Sequence, residues 1–324
     1  MDGTRRPKTA ALIVAFGLIY LVWGSTYWAI KVGLDSMPPF LLGGIRFTLA
    51  GAMLLAYTRV ARLGPITAAH WKAAAVTGML MLLLGNGAVI LAERRAPTGL
   101  VALMVTTVPI WMVLLDWLRP GGRRPGPAVF IGLAAGTLGI VLLVNPAAAL
   151  GGVGVPPFEA LILVVGSVSW AIGSLYSRAG QAPGPATLLA ALQMVVAGVA
   201  FLLVALLTGE MGGFAASAVT LRTWLAVGYL AVFGSVLAYS AYVWLMRVTQ
   251  PARVATYAYV NPVVALTIGA LLGNERITPR IALATVVLLG AVVTLNRVPP
   301  RPRRSREGEK GREGRDGRQG LRAA

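Results

Sequence analysis

The chain has 324 residues, of which 57% are hydrophobic and 12% are charged, whereas soluble domains average about 45–50% apolar and about 25% charged residues. It contains no cysteine and a single histidine, His70, which excludes disulfide frameworks and thiolate metal sites and argues against histidine-based catalysis. The formal net charge is +18. Nucleic-acid binding is not expected, because the basic residues lie in short gaps between long uncharged runs and in the two tails. The composition predicts an integral membrane protein.

Ten apolar segments are long enough to cross a bilayer as helices. A hydrocarbon core about 30 Å thick requires roughly 20 apolar residues in a helix, since the backbone must satisfy its own hydrogen bonds there. The predicted spans are 10–31, 38–58, 72–92, 97–117, 127–145, 159–178, 186–208, 223–246, 251–272 and 279–296. The expected fold is therefore an all-α membrane protein with ten transmembrane helices.

Lysine and arginine are distributed unequally between the two sets of loops. If the N-terminus is cytoplasmic, the inner segments before the C-terminal tail hold twelve of these residues and the outer loops hold five. Basic residues favour the cytoplasmic side, so both termini are predicted to be cytoplasmic, with the chain in the cytoplasmic (inner) membrane. The basic tail 298–324 has too little apolar surface to fold and is predicted to be disordered, fixing topology or contacting anionic lipid head groups.

The two halves of the chain resemble each other. The pairs at an offset of 147 residues are Trp23/Trp170, Lys31/Arg178, Pro38/Pro185, Arg46/Gln193 and Ala50-Gly51/Ala197-Gly198. Later pairs, offset by 151 to 153 residues, are Trp71/Trp224, Pro109/Pro262, Gly139/Gly290 and Asn145/Asn296. Each half has five spans, and an odd number reverses the orientation of the second half. We expect two inverted five-helix repeats, 10–146 and 159–297, preceded by a tail 1–9 and joined by an outer linker 147–158, an architecture common among secondary transporters.

Two segments carry a family resemblance. Ile19 to Gly51, which contains Trp-Gly-Ser-Thr-Tyr-Trp, resembles the first two helices of an EamA-type transporter of the drug/metabolite transporter superfamily. Tyr257 to Thr278 resembles the ninth helix of that family and its glycine-acid turn. The resemblance covers about residues 11–296 and is strongest to inner-membrane metabolite exporters. It implies a ten-helix carrier that exports amino acids or related metabolites. In the first half the turn is Gly-Gly-Arg-Arg, so its acidic member is present only as Glu275.

Two basic residues lie inside predicted spans, where ionisable side chains are costly and are functional candidates by default. Arg46 lies about eight residues into its span, roughly 12 Å along the helix at 1.5 Å per residue. At that depth we expect substrate binding or gating, or else a structural ion pair or carbonyl contact. Lys31, near the outer end of the first helix, is a gating candidate whose side chain alternatively extends to the membrane interface.

Polar and aromatic side chains recur at corresponding places in the two halves. Trp23-Gly24-Ser25-Thr26 places a flexible residue beside an aromatic ring and two hydroxyls, and Trp170 with Ser174 repeats the pattern. These residues either line a substrate cavity, with Gly24 as a hinge, or pack helices closely. Further substrate-binding candidates within spans are Asn86, Trp111, Tyr239, Tyr242, Tyr257 and Asn261. Pro109 and Pro262 remove backbone donors and are predicted hinges or kinks.

The expected function is alternating-access transport of small metabolites, amino acids or related compounds foremost, in the direction of export. The alternatives are efflux of drugs or toxic compounds, or a membrane scaffold or pore. An enzyme is disfavoured because no carboxylate cluster or nucleophile pair is apparent, and no cofactor is expected. All membrane-adjacent acids fall at span ends or in loops, which weakens proton antiport and leaves facilitated diffusion or exchange open. The expected partners are a small-molecule substrate and lipid, and the chain is a monomer or a homodimer.

Overall fold

The computed structural model describes residues 9–118, 127–144, 154–179, 184–249, 251–254 and 256–296. This part of the chain is helical, with one isolated β-bridge between Val144 and Val155. Its ten apolar helices, numbered α1 to α10, are Thr9–Gly33, Pro39–Val60, Ala68–Ala92, Thr98–Leu118, Pro127–Leu143, Pro157–Ala179, Ala186–Leu207, Leu221–Val248, Tyr257–Leu272 and Pro279–Asn296. The 298–324 tail, residues 1–8 and most of the 147–158 linker lie outside the described residues.

Seven of the described helices, α1 to α4 and α6 to α8, are long and apolar enough to cross a membrane. The shorter apolar stretches are 130–143, 257–272 and 279–291. The ninth predicted span differs most, because the chain forms a separate short helix, Pro251–Val254, before α9 begins at Tyr257. The third helix begins four residues earlier than predicted, where His70 Nδ1 accepts from the Thr67 amide at 3.1 Å and stabilises the N-terminus.

Several helices depart from regular α geometry. Wide π-helical segments occupy 18–22 in α1, 78–86 in α3 and 230–239 in α8. The second and third of these lie at corresponding positions of the two halves, since residue 78 corresponds to 231 at the offset of 153. Helix α4 is interrupted at Thr106 and Thr107, where Pro109 cannot donate to the carbonyl of the preceding turn. Such irregularities are frequent at functional sites.

The two halves pack through reciprocal contacts at α2 and α7. A Cβ atom added to Gly51 would lie 2.8 Å from the amide nitrogen of Val195. A Cβ atom added to Gly198 would lie 2.6 Å from the amide nitrogen of Thr48. Gly51 corresponds to Gly198, and Thr48 to Val195, at the offset of 147. The contact of Gly51 with Val195 and the contact of Gly198 with Thr48 are therefore equivalent contacts between the two halves. Only a residue without a side chain permits the two backbones to approach this closely.

A second reciprocal contact lies between α1 and α8 and between α3 and α6. A Cβ on Gly234 would meet Thr26, and one on Gly173 would meet Met81. Gly173 corresponds to Thr26 at the offset of 147 residues, and Gly234 corresponds to Met81 at the offset of 153 residues. This arrangement places α1, α3, α4, α6 and α9 around one interior space, with α2 behind it.

Candidate functional site

A cavity lined by both polar and apolar residues lies between the two halves of the bundle. It contains about 620 Å³ of empty space, part of which is open to the exterior. Its lining residues are Trp23, Thr26, Tyr27, Ile30, Arg46, Gly85, Asn86, Val89, Val105, Val108, Leu163, Gly166, Ser167, Trp170, Tyr257 and Asn261. Seven of the predicted substrate-binding residues are therefore brought together here, including Arg46, the only basic side chain among the described lining residues.

Arg46 is 3% exposed and is bonded only to neutral groups among the described residues. Its Nε donates to Ser235 Oγ in α8 at 2.9 Å, and its Nη1 donates to Asn86 Oδ1 in α3 at 3.2 Å. No carboxylate in the described part of the chain lies within ion-pair distance of the guanidinium. A buried cation without a counter-ion is costly, and its positive charge favours an anionic group in the adjoining cavity.

The counterpart of Arg46 in the second half makes a neutral, closed network. Gln193 is fully buried, donates to Thr77 Oγ1 at 2.6 Å and accepts from the Tyr239 hydroxyl at 3.1 Å. Tyr239 corresponds to Asn86 at the offset of 153, so the Arg46–Asn86 bond and the Gln193–Tyr239 bond are equivalent contacts. Only the first of these pairs lines the cavity, which makes the site asymmetric.

Aromatic rings form one wall of the cavity. The ring of Trp23 lies 5.9 Å from Trp170, 5.2 Å from Tyr242 and 5.3 Å from Tyr257, centroid to centroid. Its indole Nε1 donates to the Gly234 carbonyl oxygen at 3.1 Å, which fixes the ring against α8. Aromatic pairs at such distances stabilise one another beyond simple area burial. The result is a rigid apolar surface beside the guanidinium.

Asn261 and Thr26 stabilise the irregular part of α1. With its amide oriented to suit its neighbours, Asn261 donates to the carbonyl oxygens of Ile19 and Tyr20, each at 3.0 Å. Both carbonyls belong to the π-helical turn. Thr26 Oγ1 donates to the Trp23 carbonyl at 2.7 Å. These bonds hold the polar face of α1 toward the cavity.

The structure places the other substrate-binding candidates outside the cavity lining. Ser25 is paired with the Tyr229 hydroxyl at 2.6 Å, and Ser174 with that of Tyr242 at 3.0 Å. Trp111 donates to Thr107 Oγ1 at 3.3 Å. Tyr239 and Tyr242 lie behind the lining, against Trp170 at 6.3 and 5.8 Å.

The hinge candidates have different surroundings. Gly24 packs against Val264 in α9, so a side chain there would collide with that helix. Pro262 is buried inside α9, which remains continuous, whereas Pro109 follows the interruption in α4. The Lys31 ammonium donates to the backbone carbonyl of Glu93 at 2.6 Å.

A second polar cluster lies where α3 joins α4. Glu93 is 0% exposed, and its Oε2 accepts from Thr98 Oγ1 at 3.1 Å. The carboxylate of Glu275 accepts from the Thr98 and Gly99 amides at 2.6 and 3.1 Å, which caps the N-terminus of α4. Burial raises the pKa of Glu93 well above its ordinary value, an effect opposed by the Lys31 ammonium and reinforced by Glu275.

Several lining residues were not singled out from the sequence. Tyr27 and Ile30 lie four and seven positions after Trp23 and so share its helix face. Ser167 similarly precedes Trp170 by three positions, and its buried Oγ has no hydrogen-bond partner among the described residues. The residues three, four and seven positions from each candidate share its helix face, and including them would have identified these lining residues.

The described residues form a bundle of apolar helices with a cavity between two similar halves, an architecture common among membrane transporters. The EamA-like transporter family matches twice, at residues 10–145 and 157–297. The chain belongs to this family, as the sequence resemblance indicated, and hence to the drug/metabolite transporter superfamily.

The chain is similar to several known proteins over most of its length. It is 37% identical over 291 residues to the "Uncharacterized inner membrane transporter YedA" of Escherichia coli (strain K12), covering 88% of this chain and 91% of that protein. It is 27% identical over 287 residues to the "Probable amino-acid metabolite efflux pump" of the same organism, covering 84% and 90%. A solved crystal structure shares the fold, with a TM-score of 0.63, 21% identity and coverage of 89% of this chain and 98% of that one.

Proposed function

We propose that the protein is an alternating-access carrier that exports small metabolites bearing a carboxylate, amino acids foremost, across the cytoplasmic membrane. The observation that carries this proposal is the buried Arg46 guanidinium, which lines the cavity and has no carboxylate partner among the described residues. A substrate carboxylate would supply the missing counter-ion. The relative named as an amino-acid metabolite efflux pump supports the same substrate class.

The rest of the lining supports a zwitterion with an apolar side chain. The Trp23, Trp170 and Tyr257 rings offer apolar surface, while Asn86 offers a neutral polar group bonded to Arg46. The Ser167 hydroxyl, which has no hydrogen-bond partner among the described residues, offers another in the same lining. Such a site binds the charged end of a substrate by hydrogen bonds and its apolar side chain by packing against the aromatic rings. Ser25, Trp111, Ser174, Tyr239 and Tyr242 then support the lining residues rather than contact the substrate.

The mechanism that we propose is rocking of two inverted five-helix units around this cavity, with both termini cytoplasmic. The reciprocal glycine contacts support it, because residues that correspond in sequence exchange partners between the halves, as expected of two inverted units. Irregular backbone at Thr106–Thr107 in α4 gives a place where that helix can bend. Gly24, Pro109, Pro262 and Lys31 are proposed to act in gating.

The test is a thermal-shift screen on the detergent-solubilised full chain. Each proteinogenic amino acid is compared with its own carboxamide, which keeps the side chain and the amine but removes the carboxylate charge. A ligand that binds only the folded protein raises its melting temperature. The proposal expects some free amino acids to stabilise the wild type, their amides to fail, and Arg46→Gln to abolish the difference. Equal stabilisation by the amides would instead favour a carrier for neutral or cationic drugs.

A further inference from the structure

One fully buried ionisable group is not used by the proposed substrate site. Glu93 is 0% exposed, and its Oε1 has no hydrogen-bond partner among the described residues. Within the described part of the chain, its Oε2 accepts one bond, from Thr98 Oγ1 at 3.1 Å. Carboxylates deprived of water normally accept several hydrogen bonds or pair with a cation in direct contact. An orphaned oxygen in this setting is better suited to carry a proton.

Glu93 lies directly beyond one end of the cavity. It follows Val89, a lining residue, by four positions on the same helix, and Lys31 follows Tyr27 in the same way. One helical turn is about 5.4 Å, so Glu93 lies a single turn beyond Val89, and Lys31 lies a single turn beyond Tyr27 and directly after the lining residue Ile30. Glu93 and Thr98, at the junction of α3 with α4, are both 0% exposed, so this junction covers the adjoining end of the cavity.

The second half of the chain contributes to the same junction. Glu275, in the turn between α9 and α10, accepts from the Thr98 and Gly99 amides at the start of α4. These two bonds connect the halves at the covered end of the cavity. A change that weakens them loosens the contact of the α9–α10 turn with the start of α4, where Gly99 also packs against Leu266 of α9.

Few charged groups face the Glu93 carboxyl. Lys31 and Tyr27 approach from α1, and Glu275 approaches from the α9–α10 turn. Lys31 also donates to the Glu93 backbone carbonyl at 2.6 Å, so its charge is shared with a neutral acceptor. When Glu93 is ionised, two carboxylates therefore face a single ammonium in a buried setting. When Glu93 is protonated, one carboxylate faces one ammonium.

We propose that Glu93 is a proton-binding site that controls this end of the cavity and couples transport to a proton. With a proton on the carboxyl, Glu275 stays bonded to α4 and the end is closed. Release of that proton to water leaves an anion that repels Glu275, frees it from the Thr98 and Gly99 amides, and opens the end. This inference rests on the proposed carrier function, because coupling has meaning only if a substrate moves.

The direction of the pKa shift agrees with this order of events. Burial raises the pKa of Glu93 in the closed structure, with Lys31 opposing the shift and Glu275 adding to it. A carboxyl whose pKa is raised in one conformation stabilises that conformation when protonated. The closed form is therefore favoured at low pH and is lost as the pH rises through the raised value.

The test is a distance measurement on the full-length protein in lipid nanodiscs. The natural chain has no cysteine, so spin labels can be attached to the double variant Arg94→Cys/Arg276→Cys, whose two positions are exposed and flank the junction. Double electron–electron resonance is recorded from about pH 5 to about pH 8, a range in which most proteins are stable. We expect a short distance at low pH and a longer one at high pH. For a single proton, the ratio of the two populations changes about tenfold per pH unit at most.

Substitutions assign the transition to a residue. Glu93→Gln keeps the size and removes the charge, so the labelled variant is expected to show the short distance at every pH. Glu210→Gln is the control, because Glu210 is another carboxylate whose pKa is raised by burial, and it accepts from the Leu41 amide at the start of α2 at 2.9 Å. The control is expected to retain the wild-type transition.

Two results would overturn the proposal: an unchanged distance in the otherwise wild-type protein, or a transition that survives Glu93→Gln. If Glu93→Gln does not fold, Glu275→Gln takes its place, since it removes the repulsion and should also abolish the transition. A persistent transition in that variant would overturn the proposal equally. The amino-acid thermal-shift screen at a single pH tests the carrier function separately, so the two failures are distinguishable.

Discussion

Arg46 and Gln193 occupy corresponding positions in the two halves, 147 residues apart, and each bonds to the corresponding residue of its own half, Asn86 or Tyr239. The first pair is charged and lines the cavity, whereas the second is neutral and sealed. The second half has the neutral Gln193 at this position, so packing shared by both halves does not require a charge there. The difference indicates that Arg46 has a role at the cavity that Gln193 lacks.

Replacing Arg46 by the residue of its counterpart tests that role. Arg46→Gln is expected to weaken substrate binding roughly 10- to 150-fold, because hydrogen bonds to charged groups contribute about 1.5–3 kcal/mol. The melting temperature of the ligand-free protein should change little, since a buried charge without a counter-ion is removed. Titration of the stabilising amino acid, followed by melting temperature, measures both quantities.

The complementary change is Gln193→Ala. It leaves the Thr77 and Tyr239 hydroxyls without their partner, which costs about 1–3 kcal/mol of stability for buried polar groups. Substrate affinity should stay within about twofold of wild type, since Gln193 does not line the cavity. If Gln193→Ala and Arg46→Gln lower affinity equally, the asymmetry of the site has no functional meaning.

Trp23 supports the aromatic wall through both its ring and its nitrogen. Trp23→Phe keeps the ring contacts and loses the bond to Gly234, for an expected destabilisation of about 0.5–1.5 kcal/mol. Trp23→Ala also removes the contacts with Trp170, Tyr242 and Tyr257, for about 3–5 kcal/mol. Transport in proteoliposomes should survive the first change in part and be lost with the second. Equal transport by both variants would contradict a substrate contact at this ring.

The reciprocal glycines at the α2–α7 contact predict a symmetric stability effect. Gly51→Ala and Gly198→Ala should each destabilise the protein by about 1–3 kcal/mol, because the added methyl group meets backbone atoms of the other helix. Gly17→Ala and Gly228→Ala are the controls, since nothing lies within 4 Å of a Cβ at either position. The controls should be neutral or stabilising by up to about 1 kcal/mol. Thermal unfolding of the four variants compares them directly.

Stability should also depend on pH through Glu93. The pKa of Glu93 is raised in the folded protein, so the protonated carboxyl stabilises the fold fully when the pH is below the ordinary glutamate pKa of about 4.3. This stabilisation is lost as the pH rises through the pKa of Glu93 in the folded protein. The melting temperature should therefore fall as the pH rises above the ordinary glutamate value. Glu93→Gln should flatten this dependence more than Glu159→Gln, whose carboxylate is ion-paired with Arg95 at 3.7 Å. An unaltered pH profile in Glu93→Gln would contradict the buried, protonated carboxyl.

Much of the site was predictable from two signals, polar residues in apolar spans and correspondence between the halves. Arg46, Trp23, Trp170 and Asn261 were found because such side chains are costly or uncommon at those depths. Apolar lining residues such as Ile30 carry no such signal, since composition does not distinguish a cavity from lipid-facing surface.

Other features depend on tertiary structure alone. The role of Glu275 at the start of α4 needs two segments 176 residues apart to meet, and nothing local indicates that contact. Glu93 was placed at a span end, where an acid is ordinarily hydrated, yet the packing of α1, α4 and the α9–α10 turn buries it completely. The π-helical segments in α3 and α8 likewise follow no residue that forces them. Their shared position became evident only through the offset between the halves.

Substrate counterflow in proteoliposomes tests the central claim most directly. Vesicles containing the purified chain are loaded with an excess of the amino acid that gives the largest thermal shift, and uptake of the same labelled amino acid from outside is followed. The account predicts transient accumulation of label in wild-type vesicles, its loss with Arg46→Gln, and its retention with Gln193→Ala. Accumulation that is undiminished by Arg46→Gln, or flux that never saturates with concentration as in an open pore, would contradict a carrier that binds its substrate at this guanidinium.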